Sequence, residues 1–165
     1  LDAAGRVERA ADGPELPTAG DALRPEVFGR GDWGARFAFG DPREDELDPE
    51  TLLWWMSGRI DTSDVDRRAV VQVDVTDVDR SFWLVIDPDD VSVCYSDPGF
   101  DVDAVLSSAL ATLYRVWLGE VPLLDALRAG DVDLYGVRRV TAALPNWMML
   151  SPVAPLVRAA QGARA

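Results

Sequence analysis

The sequence predicts an α+β domain, an antiparallel sheet with helices packed on one face. Three observations carry this prediction. Apolar residues recur with period two from Ala69 onward, they recur at three- and four-residue spacing after Gly99, and the strand-like runs precede most of the helix-like ones. Strands grouped first and helices after imply layers rather than alternating βαβ units.

The elements follow in order. Gly40-Asp41-Pro42-Arg43-Glu44-Asp45-Glu46 is a polar breaker read as a linker. It ends where Asp48-Pro49 can cap and start a helix holding Leu52, Leu53, Trp54, Trp55 and Met56. From Ala69, Val71, Val73 and Val75 share one face while Gln72 and Asp74 share the other, as in a half-buried strand. Arg80 to Asp87 is apolar on both faces and predicts a central strand. After the turn at Asp87-Pro88-Asp89-Asp90, Val91–Tyr95 completes an antiparallel meander. Asp97-Pro98-Gly99 breaks the sheet, and Val102, Val105, Leu106, Ala109, Leu110, Leu113, Val116 and Trp117 predict one long helix closed by Gly119. A helix from Pro122 to Ala129 stops at Gly130, and Val132 and Leu134 alternate with Asp131 and Asp133 in a short strand ended by Gly136. The stretch around Trp147-Met148-Met149-Leu150 reads as a terminal helix.

Composition narrows the chemistry. The 165 residues include 16 basic ones, all arginine, and no histidine. Without His there is no imidazole base, no Ser/His/Asp relay and no His-containing zinc site. Without Lys there is neither a Schiff base nor a P-loop lysine. Cys94 is the single cysteine and is expected as a small core residue without a base beside it, which fits a reducing cytoplasm. Carboxylates are the remaining acid/base candidates, but 22 Asp against 7 Glu points to turns and helix starts. The pairs Asp64/Asp66, Asp77/Asp79 and Asp101/Asp103 lack the ligand ladder of a calcium loop. No metal or other cofactor is expected, and an enzyme with an Asp base is the weakest of three readings. No apolar run of 18 residues and no signal pattern is present, so the expectation is a cytoplasmic protein without membrane partners.

A net charge of −13 opposes phosphate binding over most of the surface. Residues 1–40 carry five Arg against seven acids, or −2, whereas 41–165 carry eleven Arg against 22 acids, or −11. The expected organisation is 1–40 as one part, 41–60 as linker and helix, and 61–165 as the α+β domain. A chain that opens on Leu1 in helix-like sequence is expected to begin inside a domain.

The run Trp117-Leu118-Gly119-Glu120, followed by Ala126-Leu127-Arg128-Ala129-Gly130-Asp131-Val132-Asp133-Leu134-Tyr135-Gly136, resembles the C-terminal signature of sterol-carrier-like domains. That resemblance implies an apolar tunnel between sheet and helices for a lipid-like molecule. The N-terminal part resembles the end of an HxlR-type winged helix. Leu1–Gly5 matches the close of the recognition helix, Arg6–Arg9 the first wing strand, Ala10–Pro14 a short wing tip, Glu15-Leu16 the return strand, and Thr18–Pro25 the start of the last helix. Pro17 before Thr18, and Gly29 and Gly31 within the last helix, depart from that pattern. Together the two resemblances imply the partial winged helix of a transcription regulator joined to an effector-binding domain, with a homodimer formed through the last winged-helix helix. They also imply DNA as partner of the parent protein, weakly or not at all for a chain lacking the groove-reading helices.

Arg6 and Arg9, alternating with Val7 and Glu8, are the candidate wing contacts to phosphate; two solvated strand charges explain them as well. Trp83, Leu113, Trp117, Trp147 and Met148 are the candidates for a pocket taking a small apolar ligand. Ordinary core packing is the competing explanation for each. The readings carried forward are a regulator with an apolar effector and, as the alternative, a lipid-binding carrier module that does not touch DNA.

Overall fold

The computed structural model describes residues 8–10 and 13–15, scattered positions between 22 and 34, and residues 47–162. The chain divides into two compact units, Leu1–Phe39 and Gly40–Ala165. Expectations placed on Arg6, on Leu1–Gly5, on the side chain of Arg9 and on the linker at 40–46 lie outside the described residues. In the first unit β1 (Glu8–Ala10) and β2 (Gly13–Glu15) form an antiparallel hairpin with Glu8 opposite Glu15. Its second strand begins inside the stretch read as the wing tip.

The second unit opens with α1 (Pro49–Ser57). Pro49 sits in the first turn, where its missing N–H costs nothing, and the Asp48 carboxylate accepts the N–H groups of Glu50 and Thr51 at 3.3 and 3.0 Å. The meander is present as β3 (Ala69–Val75), β4 (Arg80–Ile86) and β5 (Val91–Cys94). Two more strands follow, β6 (Ala104–Ser108) and β7 (Val132–Gly136), giving the spatial order β5-β4-β3-β6-β7. The α+β class holds, with one refinement: β3 and β6 run parallel, so the sheet is mixed rather than purely antiparallel.

That parallel strand corrects the long helix expected from Val102 to Trp117. Its apolar residues fit a helical spacing, yet Ala104, Leu106 and Ser108 are buried while Val105 and Ser107 between them are half-buried, a period of two. The helix α2 spans Leu110–Trp117 alone. A neighbour sets its start: Asp77, in the turn between β3 and β4, accepts the Leu110 N–H on both carboxylate oxygens at 2.9 and 3.1 Å. An acid 33 residues away thus supplies the cap that Ala109 cannot.

One face of the sheet is the main core. Ala69, Val71, Val73, Val75, Phe82, Leu84, Ile86, Ala104, Leu106 and Val132 fall on it by register, and all are nearly sealed from water. Leu52, Leu53, Leu113, Val140 and Leu144 supply the helical side of that interior. The second face carries a row that crosses all five strands, Cys94, Trp83, Gln72, Val105 and Tyr135, each half-buried or exposed. Cys94, expected in the core, therefore lies half-buried on an edge strand. There Asp74 accepts hydrogen bonds from Gln72 Nε2 at 2.7 Å and Ser81 Oγ at 2.6 Å.

The chain between α2 and the C-terminus turns on two glycines in the left-handed region, Gly119 (φ 73°) and Gly130 (φ 78°), the second ending α3 (Leu123–Ala129). Gly136 closes β7 at φ 138°, where a Cβ would stand 2.3 Å from the Asp103 carbonyl oxygen; close backbone approach and dihedral both demand glycine. The expected terminal helix around Trp147–Leu150 is instead a break between α4 (Arg138–Trp147) and α5 (Ala154–Gly162). Pro145 cannot donate a helical hydrogen bond, and α4 ends two residues later.

Candidate functional site

The break between α4 and α5 is held by backbone bonds. Ile60 and Met148 pair as an isolated bridge, Asp61 N–H donates to the Trp147 carbonyl at 2.8 Å, and Met149 N–H donates to the Arg59 carbonyl at 3.1 Å. Ser151 N–H reaches the Trp117 carbonyl at 2.9 Å, and Arg59 Nε donates to the Leu150 carbonyl at 3.3 Å. These bonds satisfy an irregular segment that would otherwise leave polar backbone groups unpaired.

Beside it lies a groove of about 250 Å³. Its deeper wall is Met56 from α1 with Val116 and Trp117 from the end of α2, all nearly sealed from solvent. Pro122, Leu123 and Leu124 at the start of α3 form the second wall, and Pro145 and Asn146 with Met148, Met149 and Leu150 form the third. Arg158 of α5 stands in the same lining. Leu124 and Met149 leave the groove open to water, at 52% and 45% exposed.

No strand residue takes part, so this groove sits at the helix ends and not in the space between sheet and helices that the sterol-carrier resemblance implies. Of the sequence candidates, Trp117 and Met148 line it together. Leu113 and Trp147 are buried in the helical interior and do not line the groove. Trp83 lies on the second face of the sheet, opposite Gln72 and Cys94. Trp54 and Trp55 are exposed on α1.

Sequence reasoning passed over Arg158. Its Nε donates to the Gly119 carbonyl at 2.8 Å, closing the turn after α2. Among the described residues no carboxylate forms an ion pair with it. The available signal was a lone cation amid Val153, Leu156 and Val157, and spacing alone gave it no meaning. Acids elsewhere serve structure. Asp77 caps α2, Asp103 accepts the Val70 N–H at 2.9 Å, and Arg68 makes a two-pronged bond to Asp87. Among the described residues no group of three His, Cys, Asp or Glu side chains is placed to hold a metal ion.

Tyr114 points its hydroxyl to the Asp48 carbonyl at 3.3 Å, and burial pushes the phenol above its ordinary pKa. It ties α2 to the entry of α1 and lies outside the groove lining.

No protein-family model matches the sequence, and no curated protein matches it. Among solved structures, the stereoselective inverting sec-alkylsulfatase Pisa1 from Pseudomonas sp. is similar with a TM-score of 0.53 and 19% identity. The match covers 66% of this chain and 17% of that one, so the chain spans about a sixth of the sulfatase's length. The sterol carrier protein-2 like-3 from Aedes aegypti is similar at a TM-score of 0.44 and 16% identity, over 61% of this chain and 95% of that one. A palmitated SCP2L2 from the same insect gives 0.47 and 18%, over 61% and 93%. No helix among the described residues is long and apolar enough to cross a membrane. What this chain shares with the sulfatase is a fold, an α+β unit with helices on a mixed sheet.

Proposed function

We propose that the second unit is a binding module for a small apolar molecule, which it holds without transforming. The observation that carries this reading is the groove of about 250 Å³ walled by Met56, Trp117, Leu123 and Met148, with Leu124 and Met149 exposed at its mouth. Small-molecule sites are concave and mostly apolar, with few polar anchors. Absence of His and Lys from the sequence, together with acids engaged in caps and turns, supports holding over catalysis. The resemblance of Trp117–Gly136 to sterol-carrier-like domains supports a lipid-like occupant. The test is displacement of an environment-sensitive fluorescent fatty acid by unlabelled competitors. Saturable binding, weakened several-fold by Met148→Asp, is expected; no displaceable binding across several lipid classes ends the carrier reading.

A second reading adds DNA. The hairpin of β1 and β2 falls in the stretch that resembles a wing, and it supports a regulator in which the apolar site biases DNA binding. Coupling of that kind requires the occupant to prefer one state of the protein. Retardation of duplex DNA at low salt that is lost on replacing Arg6 and Arg9 supports it, and no retardation removes it for this chain.

A further inference from the structure

We infer that the groove is a methionine redox site: hydrogen peroxide converts Met149, and then Met148, to the sulfoxide, which closes the groove to an apolar occupant until a thiol-dependent reductase restores it. The gating half rests on the groove being an apolar ligand site; the order of oxidation does not.

Clustering is the first observation. Twelve residues line the groove and three of them are methionine, which is every methionine in the 165-residue chain. Met56 comes from α1, whereas Met148 and Met149 come from the break after α4, so two distant parts of the chain bring them together. The remaining sulfur, that of Cys94, sits on β5 and has no part in the lining.

Graded access is the second. Met56 is 3% exposed, Met148 half-buried and Met149 45% exposed. Oxidation of a thioether needs contact with the oxidant and no prior deprotonation, so access sets the order. Met149 therefore reacts first, Met148 next and Met56 last. Met149 N–H is bonded to the Arg59 carbonyl at 3.1 Å and Ser151 N–H to the Trp117 carbonyl at 2.9 Å, which keeps the oxidised segment beside the groove.

The step balances between sulfur and oxidant. The thioether sulfur attacks one peroxide oxygen, the O–O bond breaks and an S–O bond forms; the hydroxide released takes the proton from the sulfur-bound oxygen and leaves as water. Sulfur loses two electrons and peroxide gains them. Reduction consumes two thiols and returns a disulfide, water and the thioether. Oxidation thus turns a flexible apolar side chain into a polar one. Asn146 and Arg158, in the same lining, carry donors for the new oxygen. An apolar occupant must strip that oxygen of water or of those partners, which opposes its entry.

The experiment titrates the full chain carrying C94S, which removes the competing thiol, with hydrogen peroxide. Peptide mass spectrometry reads the order of oxidation, and a dansyl-labelled fatty acid reads the groove. We expect one oxygen at Met149 first, a second at Met148, and none at Met56 while circular dichroism still shows the fold. Probe affinity falls by about tenfold, the equivalent of one polar group left unpaired, and returns with reductases for both sulfoxide epimers. M148L/M149L, compared with itself before and after peroxide, gives no response. M149Q, which imitates the polar end of the sulfoxide, weakens the probe without peroxide. Met56 oxidised as fast as Met149, or Met149 left unreactive, overturns the modification site. Probe binding unchanged once Met148 and Met149 are fully oxidised, a loss that the reductases do not reverse, or a response that persists in M148L/M149L overturns the gate while the apolar site stands. No probe binding to the unoxidised chain overturns the gate together with the apolar site, and the order of oxidation then decides the modification alone. Should M148L/M149L fail to fold, reversal on the C94S chain decides the gate.

Discussion

The sheet-facing interior and the groove at the helix ends are made from the same kinds of side chain and reach opposite states. In the interior, Phe82, Leu84, Leu106 and Leu113 are sealed, with regular strands and helices presenting them in register. At the groove, Leu124 and Met149 are half-exposed, because the elements carrying them stop short. Gly119 turns the chain out of α2, Pro145 ends α4, and Met148–Leu150 is pinned to residues 59–61 instead of collapsing inward. Filling a core needs periodicity; leaving a concavity needs elements that end at the right place. The difference teaches that the groove is a product of termini.

The largest effect expected tests this contrast directly. Phe82→Ala removes a sealed ring and should cost about 3–5 kcal/mol, read from the shift of the denaturation midpoint at constant slope. Met149→Ala trims an exposed side chain at the groove mouth and should change stability by less than about 0.5 kcal/mol, while weakening the binding of an apolar probe. Equal stability losses at the two sites would break the distinction between a filled interior and an open groove.

Two glycines sharpen it. Gly136→Ala places a Cβ against rigid backbone at φ 138° and should cost about 3 kcal/mol. Gly119→Ala also sits at positive φ, but its Cβ meets the movable Arg158 side chain at 2.9 Å and the Ala154 Cβ, fixed on α5, at 3.1 Å, and no backbone atom. Its stability cost should be smaller, about 1–2 kcal/mol. Thermal melts of both variants decide whether the groove yields where the sheet does not.

Legibility in the sequence divides along the same line. The meander was readable because Val71, Val73 and Val75 alternate with polar residues, and α1 because Asp48-Pro49 is a local cap. Ala104–Ser108 was not, since its apolar spacing satisfies both periods and a cap from Asp77, 33 residues upstream of Leu110, decides where the helix begins. In the groove, Trp117 and Met148 were foreseen as apolar candidates for a pocket, and the structure brings these two together. Arg158 and Leu124 were invisible because their place in the lining comes from helix ends meeting in space, which no periodicity encodes. The hairpin at Glu8–Glu15 fell within a stretch singled out by resemblance, but Arg6 lies outside the described residues.

The smallest effect concerns α1, which touches both regions through Leu52 and Leu53 on the core side and Met56 at the groove. Asp48 caps this helix, and hydrogen bonds from Thr51, first its hydroxyl and then its N–H, hold the Asp48 carboxyl below its ordinary value. A carboxyl lowered in the folded state contributes stability at pH values above its unfolded pKa of about 4, and that contribution is lost as pH falls through the lower folded value. Asp48→Ala should therefore cost about 1 kcal/mol at neutral pH, and the gap between parent and variant should close below about pH 4 as the cap protonates. Measuring the difference between the two chains, and not either curve alone, removes the many other acids that titrate in the same range. A gap that stays constant with pH would mean that the carboxylate's charge does not hold the first turn. Ligand affinity at neutral pH should be unmoved by the variant, since a frayed first turn at Pro49 lies two helical turns from Met56, and a matching loss of binding would show that the groove depends on α1 as a whole.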